Sequence, residues 1–219
     1  MKKTMIAILA LCGMAMADTT EYTSKNSTTS TTNNAYYNGI TLNLSGSRIT
    51  TDPAFAPGEA EVELISVATY IRQLDGKTGI TLALTDASGT VLALSDNVVT
   101  STGLRTWAFS NTTIPTTENI YFVFANPDSA NTAIGATLTG SVTDMVRAGG
   151  TTLANYGNTD NAITCTYLGD NSSYSMTPAT QNYAPKVTLH TMSIAAPEPA
   201  TATLSLLALA GLASRRRRH

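Results

Sequence analysis

Apolar and polar side chains alternate with a period of two along much of this chain. Ile40-Thr41-Leu42-Asn43-Leu44 has this form, as do Val62-Glu63-Leu64, Ile80-Thr81-Leu82-Ala83-Leu84 and Val91-Leu92-Ala93-Leu94. Successive side chains of a strand point to opposite faces, so the alternation predicts strands with one buried face. Runs of similar character cover residues 106–109, 120–125, 136–138, 163–168 and 185–194, with Gly, Asn, Asp and Pro between them. About nine strands at such short spacing predict an all-β body. The body carries no convincing apolar period of 3.6; residues 142–147 have room for one helical turn and nothing longer.

Turn chemistry places one hairpin. Residues 80–85 and 90–95 flank Asp86-Ala87-Ser88-Gly89. The Asp86 carboxylate is suited to cap the turn, and Gly89 to take positive φ. This pairing puts Leu82, Leu84, Leu92 and Leu94 on inward faces. Short antiparallel strands with one apolar face need a second sheet to cover it. The expected architecture is an antiparallel β-sandwich of the jelly-roll kind over residues 36–194. Residues 18–35 are almost entirely polar and rich in Thr and Ser. They carry too little apolar surface to offset the entropy of ordering, and read as a flexible leader with at most part of a first strand within it.

The two ends carry their own patterns. Residues 1–17 begin with Lys2 and Lys3, continue through a short apolar run at 5–11, and close on Ala15-Met16-Ala17. A positive start, an apolar middle and a small-x-small close make a cleavable signal peptide, too short to span a membrane. Residues 195–219 contain Pro197-Glu198-Pro199, then 14 uncharged residues at 200–213, then Arg215, Arg216, Arg217 and Arg218. As a helix the uncharged run measures roughly 21 Å against a ~30 Å hydrocarbon core, a short transmembrane helix that needs its flanks at the interface. The Arg cluster would stay on the cytoplasmic side and leave the body facing outward.

That order of Pro-Glu-Pro, apolar segment and terminal Arg cluster resembles the PEP-CTERM sorting signal of Gram-negative bacteria that make extracellular polysaccharide. The resemblance covers about the last 23 residues. It implies recognition by an exosortase, a membrane enzyme with a catalytic Cys, and removal of the tail near Pro199. It also implies delivery of the body to the cell surface or extracellular matrix. A plain C-terminal anchor that is never cleaved is the alternative.

Composition narrows the partners. Charged residues make up 13% of the chain, against about 25% in an average soluble domain. Residues 18–196 hold seven basic and 14 acidic side chains, a net charge near -7. Nucleic acid is not an expected partner, because binding it requires basic patches that neutralise phosphates. Once the signal has gone with Cys12, Cys165 has no pairing partner in the chain. It reads as a small buried strand residue.

Between Ile80 and Asp128 the order is strand, Asp-x-x-Gly turn, strand ending in Ser, a Trp-containing strand, Pro, and a Tyr- and Phe-rich strand. This resembles a module of secreted bacterial proteins similar to carbohydrate-binding jelly rolls. The resemblance extends over roughly residues 60–127 and implies fold more than ligand.

Catalytic chemistry finds little to work with. The body has one His, His190, and contains no G-x-S-x-G elbow, H-E-x-x-H, Cys/His cluster or P-loop. A small glycoside hydrolase would need only two carboxylates facing each other about 5–9.5 Å apart. No catalytic residue and no cofactor are assigned. Structural calcium is the metal the composition permits; Asp52, Glu59, Glu61 and Glu63 are the densest acidic group, with Glu61 and Glu63 also reading as a solvated strand face. Candidate ligand contacts are Trp107, with Phe109 on the same face, and the loop tyrosines Tyr156, Tyr167, Tyr174 and Tyr183. Two roles compete: a non-catalytic structural or adhesive component of the surface or polysaccharide matrix, and a carbohydrate-binding module. Buried aromatics under a Thr-rich exterior would favour the first. An exposed aromatic beside amide and carboxylate groups would favour the second.

Overall fold

The computed structural model describes residues 19–24, 36–44, 60–71, 73–74, 76–140, 148–149, 162–170, 173–179 and 187–194. All belong to one compact unit, Asp18–Ile194. They form twelve strands: β1 Thr19–Ser24, β2 Tyr36–Tyr37, β3 Gly39–Asn43, β4 Glu61–Ile71, β5 Thr81–Thr85, β6 Val91–Leu94, β7 Gly103–Pro115, β8 Asn119–Ala125, β9 Ala148–Gly149, β10 Ala162–Asp170, β11 Ser173–Pro178 and β12 Val187–Ser193. The predicted signal, sorting tail, C-terminal helix and 142–147 turn lie outside the described residues.

Two antiparallel sheets carry the fold. One runs β1-β12-β4-β7; the other runs β6-β5-β8-β3-β10, with β11 also on β10. They meet where β1 and β10 pair in parallel for two residues, Thr23 with Ala162 and Ser24 with Ile163. β2 and β9 make a separate two-residue pair. Val62, Leu64, Trp107, Ile114 and Leu189 of the first sheet share one buried cluster with Ile40, Leu82, Ile120, Phe122 and Phe124 of the second. Aromatic contacts cross the gap: Trp107 lies 6.0 Å from Phe124 and Phe109 lies 5.9 Å from Phe122, ring centre to ring centre. This is a β-sandwich, with inner faces covering each other as the alternation requires.

Irregularities in the strands preserve that inward face. On β4 the buried positions run 62, 64, then 67. On β7 they run 107, 109, then 112 and 114. Both strands change phase at the same place, where Leu64 pairs with Thr112 but Ser66 pairs with Ala108. The extra β7 residues include Asn111, at φ 49°. A one-residue slip would turn every later side chain to the wrong face; matched bulges on the two partners avoid this.

The second sheet is covered on both sides over part of its area. All five residues of β5 are buried. Ala83 of β5, Val91 of β6, and Val123 and Ala125 of β8 form an outer cluster with Leu138. Strands buried on both faces read as near-continuous apolar runs, which explains the Ala83 and Val123 positions that alternation assigns to solvent.

Two expectations are corrected, and one strand is located within the leader. Residues 19–24 form β1, paired to β12 along five residues from Thr19–Met192 to Thr23–Thr188. Tyr22 supplies its buried side chain, and the ladder supplies the backbone partners that the polar sequence does not announce. Residues 136–138 form no independent strand. They lie along β6 through a single bridge, Thr90 to Thr137, with Val91 N donating to Ala136 O at 2.9 Å. On β6, Leu92 and Leu94 do not face the main core. Register passes from Leu84–Ala93 to Thr85–Val91, so Leu92 is the extra residue of a bulge and is 54% exposed. Leu94 packs on the outer cluster and Ala93 takes the inward position.

Candidate ligand groove

A groove of about 360 Å³ opens where β5, β6, β7 and β8 converge. Its apolar wall comes from Leu84, Ala87, Leu92, Pro115 and Ile120. Its polar groups are Thr85, Asp86, Thr113, Glu118, Asn119 and Tyr121. Each element places these residues for a local reason.

The β5–β6 turn is built on Asp86. Its Oδ1 accepts the Ser88 N–H at 2.8 Å, the Ser88 hydroxyl at 2.6 Å and the Thr90 N–H at 2.9 Å. The Ser88 hydroxyl, then the Thr90 N–H, hold the Asp86 carboxyl below its ordinary value. Gly89 completes the turn at φ 88°. A Cβ there would sit 2.5 Å from the Tyr174 hydroxyl oxygen, so the positive φ favours Gly89 and a larger residue would also have to displace the Tyr174 side chain. The rigid turn fixes Ala87 at the groove wall, and the bulge brings Leu92 out beside it.

β8 supplies the opposite side. Asn119 opens the strand and accepts the Asn43 side-chain amide N–H at 2.7 Å on its Oδ1. Tyr121 pairs with Thr85 on one flank and Thr41 on the other. Its face is shared with Val123 rather than with Phe122, so it is half-buried and outside the main core. Thr85 is 3% exposed, and its hydroxyl oxygen finds no hydrogen-bond partner among the described residues.

The groove lining therefore includes two acidic residues, one Tyr, several apolar residues and no Lys, Arg or His. Asp86 is occupied within its own turn and its pKa is lowered. A general acid for glycoside cleavage needs the opposite shift.

The residues singled out from sequence fall elsewhere. Trp107 is fully buried, its Nε1–H donating to Ile80 O at 3.1 Å. Phe109 is also buried. Tyr167 is 3% exposed and stacked on Tyr37, ring centres 4.0 Å apart and planes within 9°. None of these three offers a ring face to a ligand. Tyr174 is half-buried over the β5–β6 turn, its hydroxyl 3.1 Å from Met176 Sδ. Burial and the charge of Asp86 raise its pKa. Tyr156, Tyr183 and the sorting residues lie outside the described residues.

Glu61 is exposed and Glu63 half-buried on β4. Asp52 and Glu59 lie outside the described residues, among which no three His, Cys, Asp or Glu side chains group as metal ligands. His190 sits on β12 with Nε2 3.4 Å from the Glu21 carboxylate of β1, on the surface and away from the groove lining. Cys165 is free and buried in the main core.

Sequence reasoning missed Thr85, Leu92, Glu118, Asn119 and Tyr121. One signal was available: Tyr121 is the polar-tipped residue within the otherwise apolar run Ile120 to Ala125. No family model, curated protein or solved structure matches this chain.

Proposed function

We propose that the chain is an exported, non-catalytic β-sandwich of the cell surface or extracellular polysaccharide matrix, with a structural or adhesive role. The observation that supports this reading is the disposition of its aromatics. Trp107, Phe109, Phe122, Phe124, Tyr37 and Tyr167 are spent on the interior. Most outward positions of β7, Thr106, Ala108, Ser110, Asn111 and Thr113, are polar or small and exposed, while Leu104 at its start is apolar and exposed beside Tyr70 of β4. A surface of this kind suits repeated weak contacts with hydrated polymer and neighbouring copies more than tight capture of one small molecule.

Its address is the PEP-CTERM-like tail, Pro197 to Arg218, with the apolar run as a short membrane helix and an exosortase as processing partner. The jelly-roll reading of the sandwich rests on the Asp86 turn and the Trp107 strand that follows it. The acidic body supports the absence of nucleic acid from its partners.

The mass of mature protein from its own host tests the address. A chain ending near Pro199 is expected; an intact chain retaining Arg215 to Arg218 would overturn processing and leave the plain anchor.

A second reading, a carbohydrate-binding module, draws on one specific observation: the groove lining includes an aromatic, an amide and an acidic residue, Tyr121, Asn119 and Glu118.

A further inference from the structure

We infer that Asn111 is an N-glycosylation site, taking a sugar from an activated glycosyl diphosphate onto the bulge of β7. The inference goes beyond the surface role proposed above. It rests on a sequence motif and on what the fold does with each of its three residues.

Asn-x-Thr or Asn-x-Ser is the acceptor pattern for sugar transfer to an amide nitrogen, read through the Asn and the hydroxyl two residues on. The chain contains it at Asn111-Thr112-Thr113, and also at Asn26, Asn43 and Asn171. Asn26 and Asn171 lie outside the described residues. Asn43 ends β3, a strand paired on both flanks, with Asn119 of β8 on one side and Thr164 of β10 on the other. Its Nδ2 already donates to Asn119 Oδ1 at 2.7 Å. A sugar on that nitrogen would meet a strand on either side.

Asn111 differs in each respect. β7 is the last strand of its sheet and is paired along its length with β4. Between the Leu64–Thr112 and Ser66–Ala108 pairs, β4 spends only Ile65, while β7 spends Phe109, Ser110 and Asn111. Phe109 stays in the core, so Ser110 and Asn111 are both pushed out and exposed. Asn111 takes φ 49°, which turns its peptide away from the regular ladder. Its neighbours hold the bulge: Ser110 Oγ donates to Asp96 Oδ2 at 2.7 Å, and Thr112 Oγ1 to Ser110 O at 3.0 Å. Among the described residues no hydrogen bond engages the Asn111 side chain.

Alternation resumes after the bulge. Thr112 is 7% exposed, and Thr113 faces solvent. The two positions that a transferase reads are therefore exposed together, and the position it does not read is the one turned inward. In the transfer, Asn111 Nδ2 bonds to the anomeric carbon while that carbon's bond to the diphosphate oxygen breaks. The bonding pair leaves with the diphosphate, and the amide loses one proton. The diphosphate is linked to a polyprenol or to a nucleotide.

A left-handed backbone favours Asn on its own account, so the test turns on Thr113, which that conformation does not require. Protein from its own host is digested, and the peptide containing Asn111 is fragmented by electron transfer, which keeps a sugar in place. A carbohydrate mass localised to Asn111 is expected. It should be lost in Asn111→Asp, which tolerates the same φ, lost in Thr113→Ala and retained in Thr113→Ser. Thr113→Ala alters an exposed side chain, so its circular dichroism should match wild type while the sugar is gone. Sugar already on precursor chains that retain residues 1–17 marks a nucleotide-linked donor. Sugar confined to chains that have lost them marks a polyprenol-linked one, and either result supports the site. Chains that have lost residues 1–17 and carry a bare Asn111 would overturn the site and keep the export reading. Modified chains that are never processed would keep the site and overturn export. Sugar on the Thr112 or Thr113 hydroxyl, or sugar that survives Thr113→Ala, would overturn the inference.

Discussion

The indole N–H of Trp107 donates to the carbonyl oxygen of Ile80 at 3.1 Å, tying a β7 side chain of one sheet to the residue leading into β5 of the other. Ile80 O also accepts Val99 N–H at 2.8 Å. Trp107→Phe therefore leaves no orphaned acceptor, and its cost comes from one hydrogen bond and lost volume, about 1–2 kcal/mol. Trp107→Ala adds a large cavity and should cost about 3–5 kcal/mol. Denaturant unfolding measures both. A loss below about 1 kcal/mol for Trp107→Ala would contradict its interior position.

The Asp86 turn predicts an acid-sensitive hairpin. Its folded pKa lies below the ordinary 3.8, so its stabilising contribution is complete well above that value. The contribution fades as the pH falls below 3.8 and through the lowered folded-state value, because the protonated carboxyl is a poorer acceptor. Asp86→Asn should destabilise at neutral pH and flatten the dependence of stability on pH in the acid range. Unfolding curves from pH 2.5 to 7 for both proteins check this; parallel curves would contradict it.

β7 ends its sheet, and an amide side chain blunts its edge. Asn97 donates Nδ2–H to Thr106 O at 3.0 Å and accepts Ala108 N–H at 2.7 Å, while Asp96 N–H donates to Ala108 O at 2.8 Å. Asn97→Ala frees a donor and an acceptor on an edge strand, the kind of site at which sheets of separate molecules join. Greater self-association than wild type is expected by sedimentation velocity as concentration rises, with a stability loss of about 1 kcal/mol. Identical sedimentation of the two proteins would show that Asn97 does not guard the edge.

Cys165 pairs with Leu42 across the β3–β10 ladder and lies within the main core cluster, and burial pushes its thiol well above the ordinary range. Native protein should react with a thiol reagent far more slowly than denatured protein, since the thiolate is the reactive form. Equal rates would contradict its burial.

Gly89→Ala meets two penalties, a positive φ and the Tyr174 hydroxyl. It should destabilise the protein, where Gly→Ala at a compatible backbone position stabilises by about 0.4–1 kcal/mol, and Tyr174→Phe should relieve part of that cost. Additive effects in the double variant would contradict the contact.

Period-two alternation revealed β3, β5, β6 and the start of β4 because facing is a local property: each side chain's direction follows from its neighbours. The Asp86 to Gly89 turn was legible for the same reason, its bonds spanning four residues at most. β1 was hidden because its partners are remote; Ser24 Oγ accepts Val187 N–H across 163 residues. The candidate site was almost wholly illegible. Its residues come from three separate stretches, and the bulge that exposes Leu92 depends on the register β6 takes against β5.

By itself, the sequence determined that the body is built from strands, that one hairpin turns at Asp86, and that Cys165 has no other cysteine in the chain but Cys12. Those facts depend on local geometry and composition. Tertiary structure alone decided which faces are covered: Trp107 and Tyr121 are both aromatic residues on strands, with opposite fates. Sheet pairing buries the first between two sheets and leaves the second at a groove, because burial depends on what packs against a face and not on the face's own sequence.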